Sequence, residues 1–272
     1  MGRPGAMLVQ SQPTPGGITE DNLAEWYFNK HIPEVLSTGG VRGVLFCHVD
    51  RQSSEHYVGE PGPKQFLAAY LLPDLDWLHE EDCGLWKLPL VLASDDSALE
   101  EKHRGRSVFE VAEFTTHFWE VVNSTTHNGM ATQLTVTTLN NVKAADEPPK
   151  RLVLSYLDNP PSDHSLAETR LKFAGPNLIS ALGLRQKQAE VTSTLFKVDE
   201  TRPGPPGSKS KEGDVPAALP GKRYLHFRQL SGHGPCDIPF FQPDLQPDLC
   251  SSTVEYMVMA EYGDTTAFTV QR

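Results

Sequence analysis

The chain can be laid over itself. Leu23-Ala24-Glu25 recurs as Leu166-Ala167-Glu168, and at the same offset Pro33, Ser37 and Gly40 meet Pro176, Ser180 and Gly183 without a gap. After a short insertion, Leu45-Phe46-Cys47-His48-Val49-Asp50 is echoed by Leu195-Phe196-Lys197-Val198-Asp199. Arg151–Leu157, Arg223–Gln229 and Thr253–Tyr262 then answer the first, third and fourth strand-like runs of the first half. Self-similarity over such a length restricts a chain to architectures made of one unit used twice.

The unit is read from the first half. Ala6–Ser11 is a short apolar strand, stopped by Gln12-Pro13-Thr14-Pro15-Gly16-Gly17. Thr19 or Asp21 caps a helix through Leu23, Trp26 and Tyr27, and Pro33 is expected to kink or break it at Ile32, before a short turn over Glu34–Ser37. Val44–Val49 and Phe66–Leu72 have strand composition, Leu75–Trp86 reads as a second helix and Val108–Val122 as a long strand. The order is β-α-β-β-α-β, the ferredoxin-like arrangement. The expected fold is therefore α+β, with residues 1–128 as one repeat and 129–272 as a second, degenerate one. Glu200–Gly221, with five prolines and four glycines, is expected to be a mobile loop inside that second repeat, and Met130–Asn140 has no assigned place.

A single unit of this kind leaves one sheet face bare, so two would stack those faces into an intramolecular pseudo-dimeric barrel with a central cavity. Strand alternation divides Val44, Phe46 and His48 from Leu45, Cys47 and Val49. The wholly apolar set is assigned to the helices and the set containing His48 to the cavity. By the same logic Tyr70 lines the cavity in the first half, and Tyr224, His226 and Arg228 line it in the second.

Composition narrows the chemistry. With 24 Lys and Arg against 35 Asp and Glu the formal charge is −11, which disfavours nucleic acid and anionic membrane surfaces. No run approaches the ~20 apolar residues of a membrane span, and no secretory leader is visible, so the expectation is a cytoplasmic protein. The four cysteines form no CxxC pair. HExxH, His-x-His, GxSxG, P-loop and GxGxxG patterns are all missing from the sequence, so no metal and no cofactor is expected. One chain would close its own barrel, giving a monomer or a weak homodimer.

The run Trp26-Tyr27-Phe28-Asn29-Lys30-His31-Ile32-Pro33, followed by Gly39-Gly40-Val41-Arg42, resembles the W-Y-x-x-x-H-I-P…PG-V-R signature of EthD-like dimeric α+β barrel proteins, most of all the tandem-repeat fungal type. The resemblance implies a small-molecule substrate and one imidazole-bearing pocket per chain, because Ala174 and Arg170 stand where the first copy has His31 and Tyr27. Relatives of that type include cyclases, isomerases, decarboxylases, metal-free monooxygenases and haem-binding branches, so it implies a fold more firmly than a reaction.

Tyr27 and His31 are four apart, hence on one helix face. An imidazole shuttles protons near neutrality and a phenol can hold an oxyanion. The structural alternative is a helix-end histidine capping carbonyls beside a packed tyrosine. His48 is a third candidate, balanced by a hydrogen-bonded core role. Trp26, Phe46, Tyr70, Tyr224, His226 and Arg228 are the expected substrate contacts, the guanidinium as an anchor for an anionic or enolate oxygen. The leading expectation is a cofactor-independent lyase or isomerase of fungal secondary metabolism. It would cyclise, isomerise, dehydrate or decarboxylate a polyketide-like carbonyl substrate. The alternatives are a non-catalytic small-molecule-binding or accessory protein, and a haem-dependent member.

Overall fold

In the computed structural model, residues 2–49, 63–94, 98–128, 150–158, 190–198, 222–231 and 250–265 are described. The first half contributes β1 (Gly5–Pro13), α1 (Glu20–Trp26), α2 (Ile32–Ser37), β2 (Gly43–Val49), β3 (Phe66–Leu72) and β4 (Ala112–Asn128). The second contributes β5 (Arg151–Asp158), β6 (Glu190–Val198), β7 (Lys222–Ser231) and β8 (Cys250–Gly263). Every pairing is antiparallel, and the strands close a ring in the order β1-β3-β2-β8-β5-β7-β6-β4.

This corrects the expected tandem of ferredoxin-like repeats. The molecule is one mostly antiparallel sheet with a single helical segment among the described residues, placed between β1 and β2. What recurs is strand order, β4-β1-β3-β2 in the first half and β8-β5-β7-β6 in the second. The helical layer does not recur in what is described. Leu75–Trp86 is two 3₁₀ turns, Asp76–His79 and Gly84–Lys87. Its apolar spacing comes from separate anchors, Leu78 and Leu85, both buried. The Trp86 indole donates to the Leu78 carbonyl at 2.8 Å, an acceptor that a continuous helix would give to the residue 82 N–H. The repeat matches at 166–183, the 200–221 loop and Met130–Asn140 lie outside the described residues.

The helical segment starts as its sequence directs. Thr19 Oγ1 accepts the Asn22 N–H at 3.1 Å, and Glu20 and Asp21 favour the positive end of the helix. Pro33 does not break it, and the irregularity falls just before Ile32. Between α1 and α2 the chain makes a π turn, Tyr27–His31, in which the Ile32 N–H reaches back five residues to the Tyr27 carbonyl. Pro33 then falls in the first turn of α2, where its fixed φ suits the helix. Gly39, at φ +80°, ends the segment in the left-handed region. A Cβ on Gly40 would lie 2.2 Å from the indole of Trp77, so the second glycine of the pair is there for close approach.

Two apolar layers follow from strand alternation. Leu8, Leu45, Cys47, Leu67 and Leu71 point into the ring, where they meet Leu152, Leu154, Tyr156, Phe196, Leu225, Phe227, Val254 and Tyr256 from the second half. Val9, Val44, Phe46, Phe66 and Tyr70 point outward, beneath Leu23, Trp26, Tyr27, Ile32 and Val35 of the helical segment. The expected assignment of faces is thus inverted. Phe46 and Tyr70 face the helices, and the ring is filled by aliphatic and aromatic side chains. The reason is visible in β2 and β3: all but one of their residues are buried, so the contrast of polar and apolar faces that would orient a strand is missing.

Candidate functional site

The π turn determines which side chains meet. In an α-helix residues four apart align, which would place Tyr27 over His31. In a π turn the hydrogen bonds reach back five residues, so residues five apart come close as well. Trp26 and His31 accordingly stack, with ring centroids 4.5 Å apart and planes within 8°. Tyr27 meets the imidazole edge-on at 5.7 Å, and Tyr70 of β3 does so from the sheet at 6.1 Å. The imidazole sits among three aromatic rings. Phe46 extends the wall, 4.6 Å from Tyr27 and 5.0 Å from Phe28, and stacks on Phe66 at 5.4 Å.

Polar atoms in this cluster divide into held and unheld. The Tyr27 hydroxyl and Ser11 Oγ of β1 form a buried hydrogen bond at 3.0 Å. His31 Nδ1 and the Tyr70 hydroxyl are buried and have no hydrogen-bond partner among the described residues. Burial alone holds the His31 imidazole down at about pKa 4, so it is neutral at pH 7. Burial pushes both phenols well above their ordinary range, so each keeps its proton. The site therefore offers one neutral imidazole and two phenolic O–H groups in water-poor surroundings. Such a set can take a proton from carbon or oxygen and donate to a developing oxyanion.

Of the expected site residues, Trp26, Tyr27, His31, Phe46 and Tyr70 are brought together. His48 is at the margin, edge-on to Phe66 at 5.4 Å, with the Gln65 amide nitrogen 3.3 Å from its Nε2. Tyr224, His226 and Arg228 come from the second half of the chain. They lie on β7, which occupies the place opposite β3 in the ring of eight strands, and the side chains of His226 and Arg228 lie outside the described ones. Sequence reasoning missed Ser11, although a serine flanked by apolar strand residues is a signal for a buried hydroxyl with a partner. It also missed Val91, whose carbonyl accepts both the Trp26 indole N–H at 3.2 Å and the Lys30 ammonium at 2.9 Å. Nothing in a backbone carbonyl marks it beforehand.

Inside the ring a second polar group braces the barrel. Gln10 Nε2 lies 3.3 Å from the Tyr156 hydroxyl and 3.2 Å from that of Tyr256, joining β1 to β5 and β8 across the interior. Among the described residues no group of three or more His, Cys, Asp or Glu side chains could hold a metal ion. No described helix is long and apolar enough to cross a membrane.

These features define a closed antiparallel barrel with an imidazole enclosed by aromatic rings on its outer, helix-covered face. No family model matches the chain, and no curated protein matches it. Among solved structures, the chain is similar to a "putative monooxygenase from Lactobacillus acidophilus NCFM", at 10% identity over 96% of both chains and a TM-score of 0.44.

Proposed function

We propose that the protein is an acid–base enzyme acting on a small carbonyl compound at His31. The observation that carries this reading is the pair of buried, unpartnered polar atoms, His31 Nδ1 and the Tyr70 hydroxyl, in one aromatic cluster. Buried polar groups are almost always satisfied, so two unsatisfied ones in one cluster, on rings whose centroids are 6.1 Å apart, fit a ligand that completes them. A substrate carbonyl oxygen would accept from Tyr70, and the adjacent C–H would face the imidazole. The C–H bond breaks, its proton goes to His31 and its electron pair moves onto the carbonyl oxygen as an enolate. The imidazolium returns the proton to another carbon, or the enolate carbon attacks a second carbonyl in the same substrate, whose π electrons move onto its oxygen and take the proton back from the imidazolium. Isomerisation and cyclisation share the first step, and the β-dicarbonyl units of a polyketide-like chain have C–H groups acidic enough for it. Tyr27, tied to Ser11, orients the imidazole edge.

Held down to about pKa 4 by burial, the His31 imidazole is a weak base before substrate binds. The nascent enolate changes that, since a negative charge formed beside the ring in a low-dielectric site stabilises the imidazolium. The closed ring leaves no open sheet edge among the described strands, which supports a single chain as the working unit.

The test is solvent deuterium incorporation next to the carbonyl in a panel of β-diketones, β-keto esters and lactones. Wild type is expected to exchange at least one panel compound, with His31→Gln slower by about 10²–10⁴ at an unchanged Tm. Equal exchange in the variant would overturn the role of His31. Panel compounds that raise Tm but never exchange would make the protein a non-catalytic binder.

A further inference from the structure

We propose that Trp26 is a positioning residue that sets the proton affinity of His31 through the face of its indole. The inference rests on His31 being the proton acceptor. Parallel stacking at 4.5 Å puts the imidazole against the electron-rich face of the largest aromatic ring available. A neutral imidazole gains only packing there. Once protonated, the same ring becomes a cation lying on a π face, which is the better partner for it by the sign of the indole quadrupole. The arrangement therefore favours the state His31 enters as the substrate loses its proton.

The indole is not free to turn away. Its N–H is held by the Val91 carbonyl, and the π turn fixes the five-residue spacing that makes the two rings parallel. The other titratable and charged groups on the elements around the imidazole include two phenols, Lys30 and Glu34. Tyr27 and Tyr70 approach at 71° and 80° and remain neutral phenols. Lys30 directs its ammonium to Val91 and adds like charge to the turn. Glu34 on α2 has a buried Oε2 with no hydrogen-bond partner. Burial works against the imidazolium, and the Trp26 face offsets part of that effect.

The test is an NMR pH titration of the His31 ring in the full chain, comparing wild type with Trp26→Phe, Trp26→Leu and protein containing 5-fluorotryptophan. Leucine keeps the site dry but removes the π face, so the His31 midpoint should fall by about half a unit to one unit. Phenylalanine and the fluorinated indole, with weaker faces, should lower it by less. The acid limb of the deuterium-exchange profile should move down with the midpoint at constant KM. An unchanged or raised midpoint in the leucine and fluorinated proteins would show that the indole only excludes water, and would overturn the proposal. The fluorinated protein keeps native packing and decides the matter if Trp26→Leu does not fold. The titration reads the same whether or not any panel compound turns over, so failure of the catalytic reading is seen separately, in the exchange assay.

Discussion

Ser11 on β1 and Tyr27 on the π turn share a hydrogen bond of 3.0 Å between two hydroxyls that are almost wholly removed from water. It is the one polar tie described between the barrel wall and the ring that lies edge-on to His31. Ser11→Ala should leave the phenol unsatisfied and cost about 1–3 kcal/mol, whereas Ser11→Ala combined with Tyr27→Phe should cost less than the sum of the single changes. Urea unfolding of the four proteins measures the coupling. Strict additivity would mean that the bond does not form in solution.

Tyr70 presents the opposite case. Its hydroxyl is buried without a partner, so Tyr70→Phe removes a desolvated group that no described contact rewards. Stability should stay the same or rise by up to about 1 kcal/mol. Deuterium exchange should nevertheless fall by about 10²-fold, the usual effect of losing one donor to an oxyanion. A stable Tyr70→Phe protein with undiminished exchange would remove Tyr70 from the site.

The imidazoles predict an acid-sensitive fold. Burial lowers His31 from 6.5 to about 4, and it lowers His117, which faces the barrel interior on β4. Between those values the unfolded chain binds a proton that folded His31 does not, so stability rises with pH across the window. The full contribution is present above about pH 6.5 and is lost as pH falls to about 4, with roughly 3 kcal/mol assigned to His31. Urea midpoints at pH 7.5 and 4.5 should differ more in wild type than in His31→Gln. Equal differences would show that His31 titrates normally in the folded chain.

Local features were legible in the sequence where a residue has a single physical use. Thr19 as a cap, the glycine pair after the helix, and the strands at 44–49 and 66–72 are of that type. The cluster of Trp26, Tyr27 and His31 could be picked out because it brings three chemically capable rings into six residues. Its geometry could not, because the choice between α and π spacing turns on one backbone hydrogen bond at Ile32. Which face of the sheet the cluster meets was also hidden, since Leu45 and Phe46 are equally buried on opposite sides. The Leu75–Trp86 segment misled for a related reason: anchors of two short turns share the apolar spacing of a helix. Arg228 and His226 were grouped with the site by alternation alone, and strand order places them across the ring.

The most direct measurement is a crystal structure of the protein with the panel compound that exchanges fastest. The account predicts its carbonyl oxygen on the Tyr70 hydroxyl, with the exchanging carbon against His31 between the helical segment and β2 and β3. A ligand seated elsewhere, such as beside Gln10 inside the ring, with His31 Nδ1 and Tyr70 still unpartnered, would contradict it.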